Sequence, residues 1–471
     1  MFTYNFIQNH LMKHFLSSIL IFSLFILSNP ANAGKIDGGG TWKAGVASVI
    51  ITPEQSIWMA GFAHRTSPAS GKLHDLWVKA LAIEDASGKQ AVLLTSDLSG
   101  IPKSISDSIR NRIERKFKLS RSQIIFNTSH THSGPVLVDA LWDLYPLDDE
   151  QKLKITSYTK TLEIKIESVV RKALASMKPV DISSQNGITR FAVNRRNNIE
   201  STINAQTDLK GPSDYAVPVI KLSDKKGKII ALVFGYACHN TVLHGNEWSG
   251  DYAGYAQIAL EKAHPGATAM FFQGCGGNQN ALPRKTVPLA TQYGKELALA
   301  VDAVLEGEMK ILEPQLSTAY SEVKLELEKA PSKEELLAIA AKETSYIKNW
   351  ALNMIKKADQ GHTFISTYPY PVQFWQLGNQ SLVALGGEPV VDYAINLKKI
   401  FGPGLFVMGY SNDVMAYIPT AEIVREGGYE GHTSQMAFGM PAKWKESIEP
   451  AIMKEVMILA KKLRIVIPES K

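Results

Sequence analysis

Five short segments hold most of the residues able to do chemistry. In Asn127 to Pro135 (NTSHTHSGP), His130 and His132 stand two apart at the end of an apolar run. Side chains at that spacing in an extended chain share a face, so the pair fits a metal site or a hydrogen-bonded structural pair. His239, in Phe234 to His244 (FGYACHNTVLH), ends a second apolar run and becomes a third nitrogen if it meets His130. His244 either joins that cleft or is a surface loop residue. Phe271 to Asn280 (FFQGCGGNQN) places three glycines within four positions. Backbone amides there can approach a ligand closely, or the segment is a tight strand-to-loop turn. No Gly-Lys-Ser/Thr follows, which excludes a phosphate loop. Glu388, after Ala384-Leu385-Gly386-Gly387, reads as a buried, positioned carboxylate or a surface residue. Tyr417 and Tyr429, near the end of the chain, read on their own as packing residues.

These segments need elements to position them. Strands are predicted at 45–51, 80–85, 90–96, 123–127, 228–237 and 267–272, where apolar residues run together or alternate. Helices are predicted at 105–117, 151–177 and 252–264. A helical signal also covers 331–359, with Ser332 and Glu335 spaced as a capping box. Strands at 372–377 and 381–385 flank the turn pair Gly378-Asn379. The expectation is an α/β fold: one large domain with mixed β-sheets flanked by helices.

The chain has 471 residues with 51 Lys+Arg, 45 Asp+Glu and 45% hydrophobic residues. This excludes a disordered chain or a multi-span membrane protein. The basic excess of +6 is not clustered and gives no case for a nucleic-acid partner. Cys238 and Cys275 exclude a disulfide scaffold and a four-cysteine zinc site; they either pair or stay free. Residues 1–33 read as a signal peptide, with Lys13 and His14 before an apolar run from Phe15 to Leu27, then Ala31-Asn32-Ala33. Translation is expected from Met12, and the mature part, 34–471, is expected to be secreted or periplasmic, without a membrane span after cleavage.

Together the segments resemble the neutral, non-lysosomal ceramidases in their N-terminal catalytic domain. His130-Thr131-His132-Ser133-Gly134-Pro135 is similar to that family's first histidine element, with Ser129 where the family has threonine. Asn194-Arg195, His239, the hairpin leading to Gly387-Glu388, Tyr417-Ile418-Pro419-Thr420 and Tyr429-Glu430-Gly431 follow in the family's order, over about 42 to 444. The resemblance implies zinc held by His130, His239, Glu388 and Tyr417. It implies that His132 stands beside a metal-activated water, as proton carrier or as a residue supporting the ligands, rather than binding metal, and that Arg195 and Tyr429 stabilise an oxyanion. Gly277 and Asn280 would face substrate, and Asp97 either orients a histidine or sits in a plain loop. Two departures bear on substrate. Asn280 most nearly occupies the position of a family serine, and no room follows Lys471 for the family's C-terminal immunoglobulin-like domain. The implied activity is zinc-dependent amide hydrolysis of a ceramide-like N-acyl sphingoid lipid. The same site acting on an N-acyl sugar, an ester or, as a lyase, a polysaccharide remains open, as does a non-catalytic binding protein; oligomeric state is not legible.

Overall fold

Apolar runs bounded by turn residues become the strands. The computed structural model describes residues 40–468; the predicted signal segment and the Met12 start lie outside them. Strands β1 (Trp42–Ile50), β2 (Trp77–Glu84), β3 (Gln90–Ser96), β4 (Ile124–Thr128), β5 (Lys178–Ile188), β6 (Ala216–Asp224), β7 (Ile229–Tyr236) and β8 (Thr268–Gln273) build a nine-stranded sheet with the short strand Lys310–Ile311. Their order is β8-β7-β6-β5-β1-β2-β3-β4. The edge pairs β3/β4 and β7/β8 are parallel, while β2/β3 and β6/β7 are antiparallel. A parallel pair needs a crossover, and helices α1 (Lys103–Phe117) and α3 (Asp251–Ala263) supply the two.

Helix α1 buries Ile105, Ile109 and Ile113, spaced every four residues. Together with α2 (Asp149–Ala175) it covers the outward side chains Val78, Ala80, Val92 and Leu94. Helix α3 and α4 (Val287–Glu306) cover the other half of the same face over Leu232, Phe234 and Phe271. The alternate residues Leu81, Leu93, Leu222 and Met270 point inward against a second sheet of β9 (Leu316–Glu326), β10 (Thr367–Leu377), β11 (Gln380–Leu385) and β12 (Phe406–Met408). Truncating such a buried isoleucine or leucine to alanine costs about 2–5 kcal/mol. The α/β class with mixed sheets and flanking helices is as expected from the sequence.

Two expectations change. The helical stretch 331–359 is two helices, α5 (Lys333–Lys342) and α6 (Ser345–Asp359). Leu336 and Met354 belong to one apolar cluster, whereas one straight helix would hold them about 27 Å apart; folding back brings them together. The capping box at its start is present, Ser332 Oγ accepting from Glu335 N and Ser332 N donating to Glu335 Oε2. Secondly, β4 ends at Thr128 and His130 lies at φ +59°, so the histidine pair sits in a turn rather than an extended chain. Beyond these elements α7 (Val391–Phe401) and α8 (Ile448–Lys462) close the outer face of the second sheet. Among the described residues no helix is long and apolar enough to cross a membrane.

Candidate metal centre

His130, His239, Glu388 and Tyr417 come from four separate segments and converge. Glu388–Pro389 and Tyr417–Ile418 are two-residue strands paired in parallel, with Glu388 directly opposite Tyr417. Side chains opposite one another in such a pair leave the same face, so carboxylate and phenol emerge together. Gly277 allows this loop to pack: a Cβ there would lie 2.7 Å from Glu388 O. His239 follows β7 and is bridged to Asn280. All four side chains are buried, His239 completely.

The proton positions follow from the partners. His130 Nδ1 lies 2.5 Å from Ser99 O and His239 Nδ1 lies 2.7 Å from Gly276 O. A carbonyl only accepts, so each Nδ1 carries a proton, and either ring, when neutral, presents a bare Nε2. Burial, reinforced by Arg195 and opposed by Glu388, pushes His239 down to about 4, which keeps that ring neutral. Those two nitrogens stand 3.0 and 3.2 Å from Glu388 Oε2, which has no aligned hydrogen-bond donor. Lone pairs on two nitrogens and one carboxylate oxygen thus face one point. Without a cation between them that arrangement is repulsive.

Tyr417 Oη lies 3.0 Å from His239 Nε2 and 3.1 Å from Arg195 Nη2. Burial pushes the phenol up, and Arg195 works in the opposite direction. Three of the separations, His130 Nε2 to Glu388 Oε2, His239 Nε2 to Glu388 Oε2 and His239 Nε2 to Tyr417 Oη, are 3.0–3.2 Å, close to the roughly 3.3 Å edge of a tetrahedron with ligands about 2.0–2.1 Å from zinc. The residues present therefore fit a small divalent ion.

His132 differs from the other two histidines. Its Nε2 is 3.0 Å from His130 Nε2, and the three rings lie close enough to share an ion. Its Nδ1, however, is buried without a partner, so no carbonyl fixes its tautomer. Burial, then the neighbouring imidazoles, hold it well below the usual histidine range. The buried guanidinium of Arg65 donates to His132 O at 2.7 Å and to Ala60 O at 2.8 Å, clamping the turn.

Arg195 is committed on several sides. It donates through Nε to Glu430 (2.8 Å), through Nη2 to Gly277 O (2.8 Å), and through Nη1 to Asn280 Oδ1 at a longer 3.4 Å. Burial works against its charge, but Tyr417 and Glu430 beside it raise its affinity for the proton. Tyr429 is 45% exposed and stacks edge-on against Tyr417 at 5.3 Å. Asn280 lines the cavity in front of these groups; Gly277 does not. The Gly277 N–H donates to Pro389 O at 2.9 Å, so the expected role of its amide in substrate binding is replaced by support of Glu388 and Arg195. Asp97 touches no imidazole; it accepts from Trp77 N and Gln257 Nε2, because backbone carbonyls do the orienting. His244 stands off the centre, stacked on His64 and tilted against Phe62. Cys238 and Cys275 are free and buried in different apolar clusters.

The cavity has a volume of about 660 Å³ and two unlike walls. Arg196, Asn198, Glu200 and Arg284 form a polar side, and Leu141, Leu144, Tyr346 and Phe438 an apolar one. Sequence reasoning missed Ser99, Gly276 and Arg65, because a carbonyl or a lone arginine leaves no pattern. Glu430 had a signal: an acid beside Tyr429 to match the adjacent Arg195 and Arg196.

The family model for the N-terminal region of neutral/alkaline non-lysosomal ceramidases matches residues 42–279. A solved structure described as a ceramidase complexed with C2 is similar at TM-score 0.69 and 16% identity, over 92% of this chain and 77% of that one. The crystal structure of neutral ceramidase from Pseudomonas aeruginosa is similar at TM-score 0.69 and 18% identity, over 92% and 76%. Both are likenesses of fold. Comparison with curated proteins finds no match.

Proposed function

The chain belongs to the neutral/alkaline non-lysosomal ceramidase family, and on that premise we propose that it is an exported zinc-dependent hydrolase cleaving the amide bond of an N-acyl amphiphile. The observation that carries this reading is the meeting of bare His130 Nε2, bare His239 Nε2 and unpaired Glu388 Oε2 in front of a cavity. His130, His239, Glu388 and Tyr417 would hold the ion. When bound, zinc supplies a Lewis acid that lowers the pKa of water toward about 7 and so provides a nucleophile at neutral pH.

The chain's own residues supply the rest. Arg195, fixed by Glu430 and Gly277 O, presents positive charge beside Tyr417, where negative charge develops on an acyl oxygen. Tyr429 at the cavity edge adds a donor. His132, a neutral ring on the cavity lining, takes a proton from water and passes it to the leaving amine. An amide cannot be a nucleophile, so Asn280 positions substrate. The apolar wall receives an acyl chain and the polar wall a hydroxylated head group. Ceramide-like N-acyl sphingoid lipid meets that description. The four polar side chains of the second wall favour, as a second reading, an N-acyl sugar.

Residues 1–33 serve as the signal peptide and 34–471 as the catalytic domain, which places the activity outside the cytoplasm. Hydrolysis by the purified chain of short-chain N-acyl sphingosine and N-acyl hexosamine, with and without a chelator, tests the proposal. Loss of amine release on chelation and its return with zinc is the expected result; activity unaffected by complete metal removal refutes it.

A further inference from the structure

Ligands on four segments need a frame, and one feature of the large sheet supplies it. Strands β4 and β8 are its opposite edges, yet their C-terminal ends are bonded to each other. Gln273 N donates to Asn127 Oδ1 at 2.9 Å, and Asn127 Nδ2 donates back to Gln273 O at 3.3 Å. The side-chain amide of Asn127 therefore takes the place of a neighbouring strand's peptide and joins the edges. The same Nδ2 reaches Gly409 O at 2.7 Å and Ser411 Oγ at 3.1 Å, tying in the loop that leads to Tyr417.

The network continues to both sides of His239. Gln273 Nε2 donates to Cys238 O at 2.8 Å, and Gln273 Oε1 accepts from Asn240 Nδ2 at 3.2 Å. Asn240 Nδ2 also donates to Ser129 O, the residue before His130, at 2.5 Å, while its Oδ1 accepts from Ala253 N at 3.1 Å. His132 N donates to Asn240 O at 3.1 Å. Asn127, Asn240 and Gln273 are each 0% exposed. Orientation is unambiguous, since Gln273 N–H and Ala253 N–H only donate and must face amide oxygens. Neutral amides suit the place: each both donates and accepts, and none adds charge beside the ligands.

We infer that Asn127, Asn240 and Gln273 are positioning residues, a neutral amide network that closes the sheet edges and sets the spacing of His130, His239 and the Tyr417 loop before an ion binds. This rests on the metal-centre reading above. None of the three touches the ion or the substrate; they act through the backbone on either side of the ligands. Partners that orient metal ligands typically account for 10–100-fold in affinity.

The test is zinc affinity of the purified full chain, measured by chelator competition for wild type, Asn127→Leu and the shape-conserving Gln273→Met. Val456→Ala, in α8 on the outer face of the second sheet and outside the amide network, serves as a control for general destabilisation. Dissociation constants about 10–100-fold weaker in the two network variants, an altered visible spectrum with cobalt, and an unchanged affinity for Val456→Ala at a comparable fall in Tm support the inference. Gln273→Met alone is sufficient should Asn127→Leu not fold. Network variants that bind zinc as tightly as wild type, or a control that loses as much, overturn the inference and leave the metal centre standing. A wild type that binds no zinc overturns both.

Discussion

His132→Ala separates a ligand from a proton carrier. His132 Nε2 is only 3.0 Å from His130 Nε2, so distance alone admits both roles. The decisive difference is at the other ring nitrogen, which is anchored to a carbonyl in His130 and His239 but has no partner in His132. The alanine variant leaves the turn in place, because Arg65 grips the His132 carbonyl and the His132 N–H bonds to Asn240 O. Zinc content should therefore match wild type while the rate falls. Positioned proton transfer contributes about 10²–10⁴-fold, equivalent to about 3–5 kcal/mol of transition-state stabilisation. Elemental analysis of the purified variant, alongside kcat/KM on an N-acyl substrate, reads both quantities. His130→Ala is the contrast and should lose metal and rate together. A His132→Ala protein that loses zinc as fully as His130→Ala would refute the assignment and make His132 a ligand.

Other outcomes follow from the same geometry. Gly277→Ala forces a Cβ to within 2.7 Å of Glu388 O and 2.9 Å of Pro389 O, so it should lower stability by about 1–3 kcal/mol and weaken zinc binding, both readable by denaturation and competition titration. Glu388→Gln keeps the shape but removes the carboxylate charge, and its zinc content should fall well below wild type under identical purification. Asp413 is buried with Oδ1 unpaired, and burial pushes it up to about 7 against the pull of the Tyr368 hydroxyl. The native state thus binds more protons than the unfolded chain between the unfolded value of 3.8 and about 7, and stability falls as pH rises through that window. Asp413→Asn should gain about 3 kcal/mol relative to wild type between about pH 5 and pH 8, measured by urea unfolding; a gain independent of pH would contradict it.

Much of the fold could be read from the sequence because period and turn chemistry are local. The runs at 90–96 and 228–237 had few alternatives to buried strands, and Ser332 with Glu335 marked a helix start that is present. The join between α5 and α6 was hidden because no proline or glycine interrupts the apolar spacing there. The histidine pair was found for an incomplete reason: His130 and His132 converge through a turn at positive φ rather than by sharing the face of a strand. Glu388 and Tyr417 become neighbours through a two-residue parallel pair, too short to leave a periodic signal. Ser99 O and Gly276 O fix two tautomers, and any residue type supplies a carbonyl. Asn127 and Asn240 stand near the histidines in sequence and Gln273 ends β8, but only the meeting of two sheet edges gives them work.

The account depends on His130, His239, Glu388 and Tyr417 sharing one ion. Anomalous diffraction at the zinc edge from crystals of the purified chain tests this directly. It predicts a single strong peak between the two Nε2 atoms, Glu388 Oε2 and Tyr417 Oη. A zinc-replete, active protein whose peak lies elsewhere, or whose peak is absent, would contradict it.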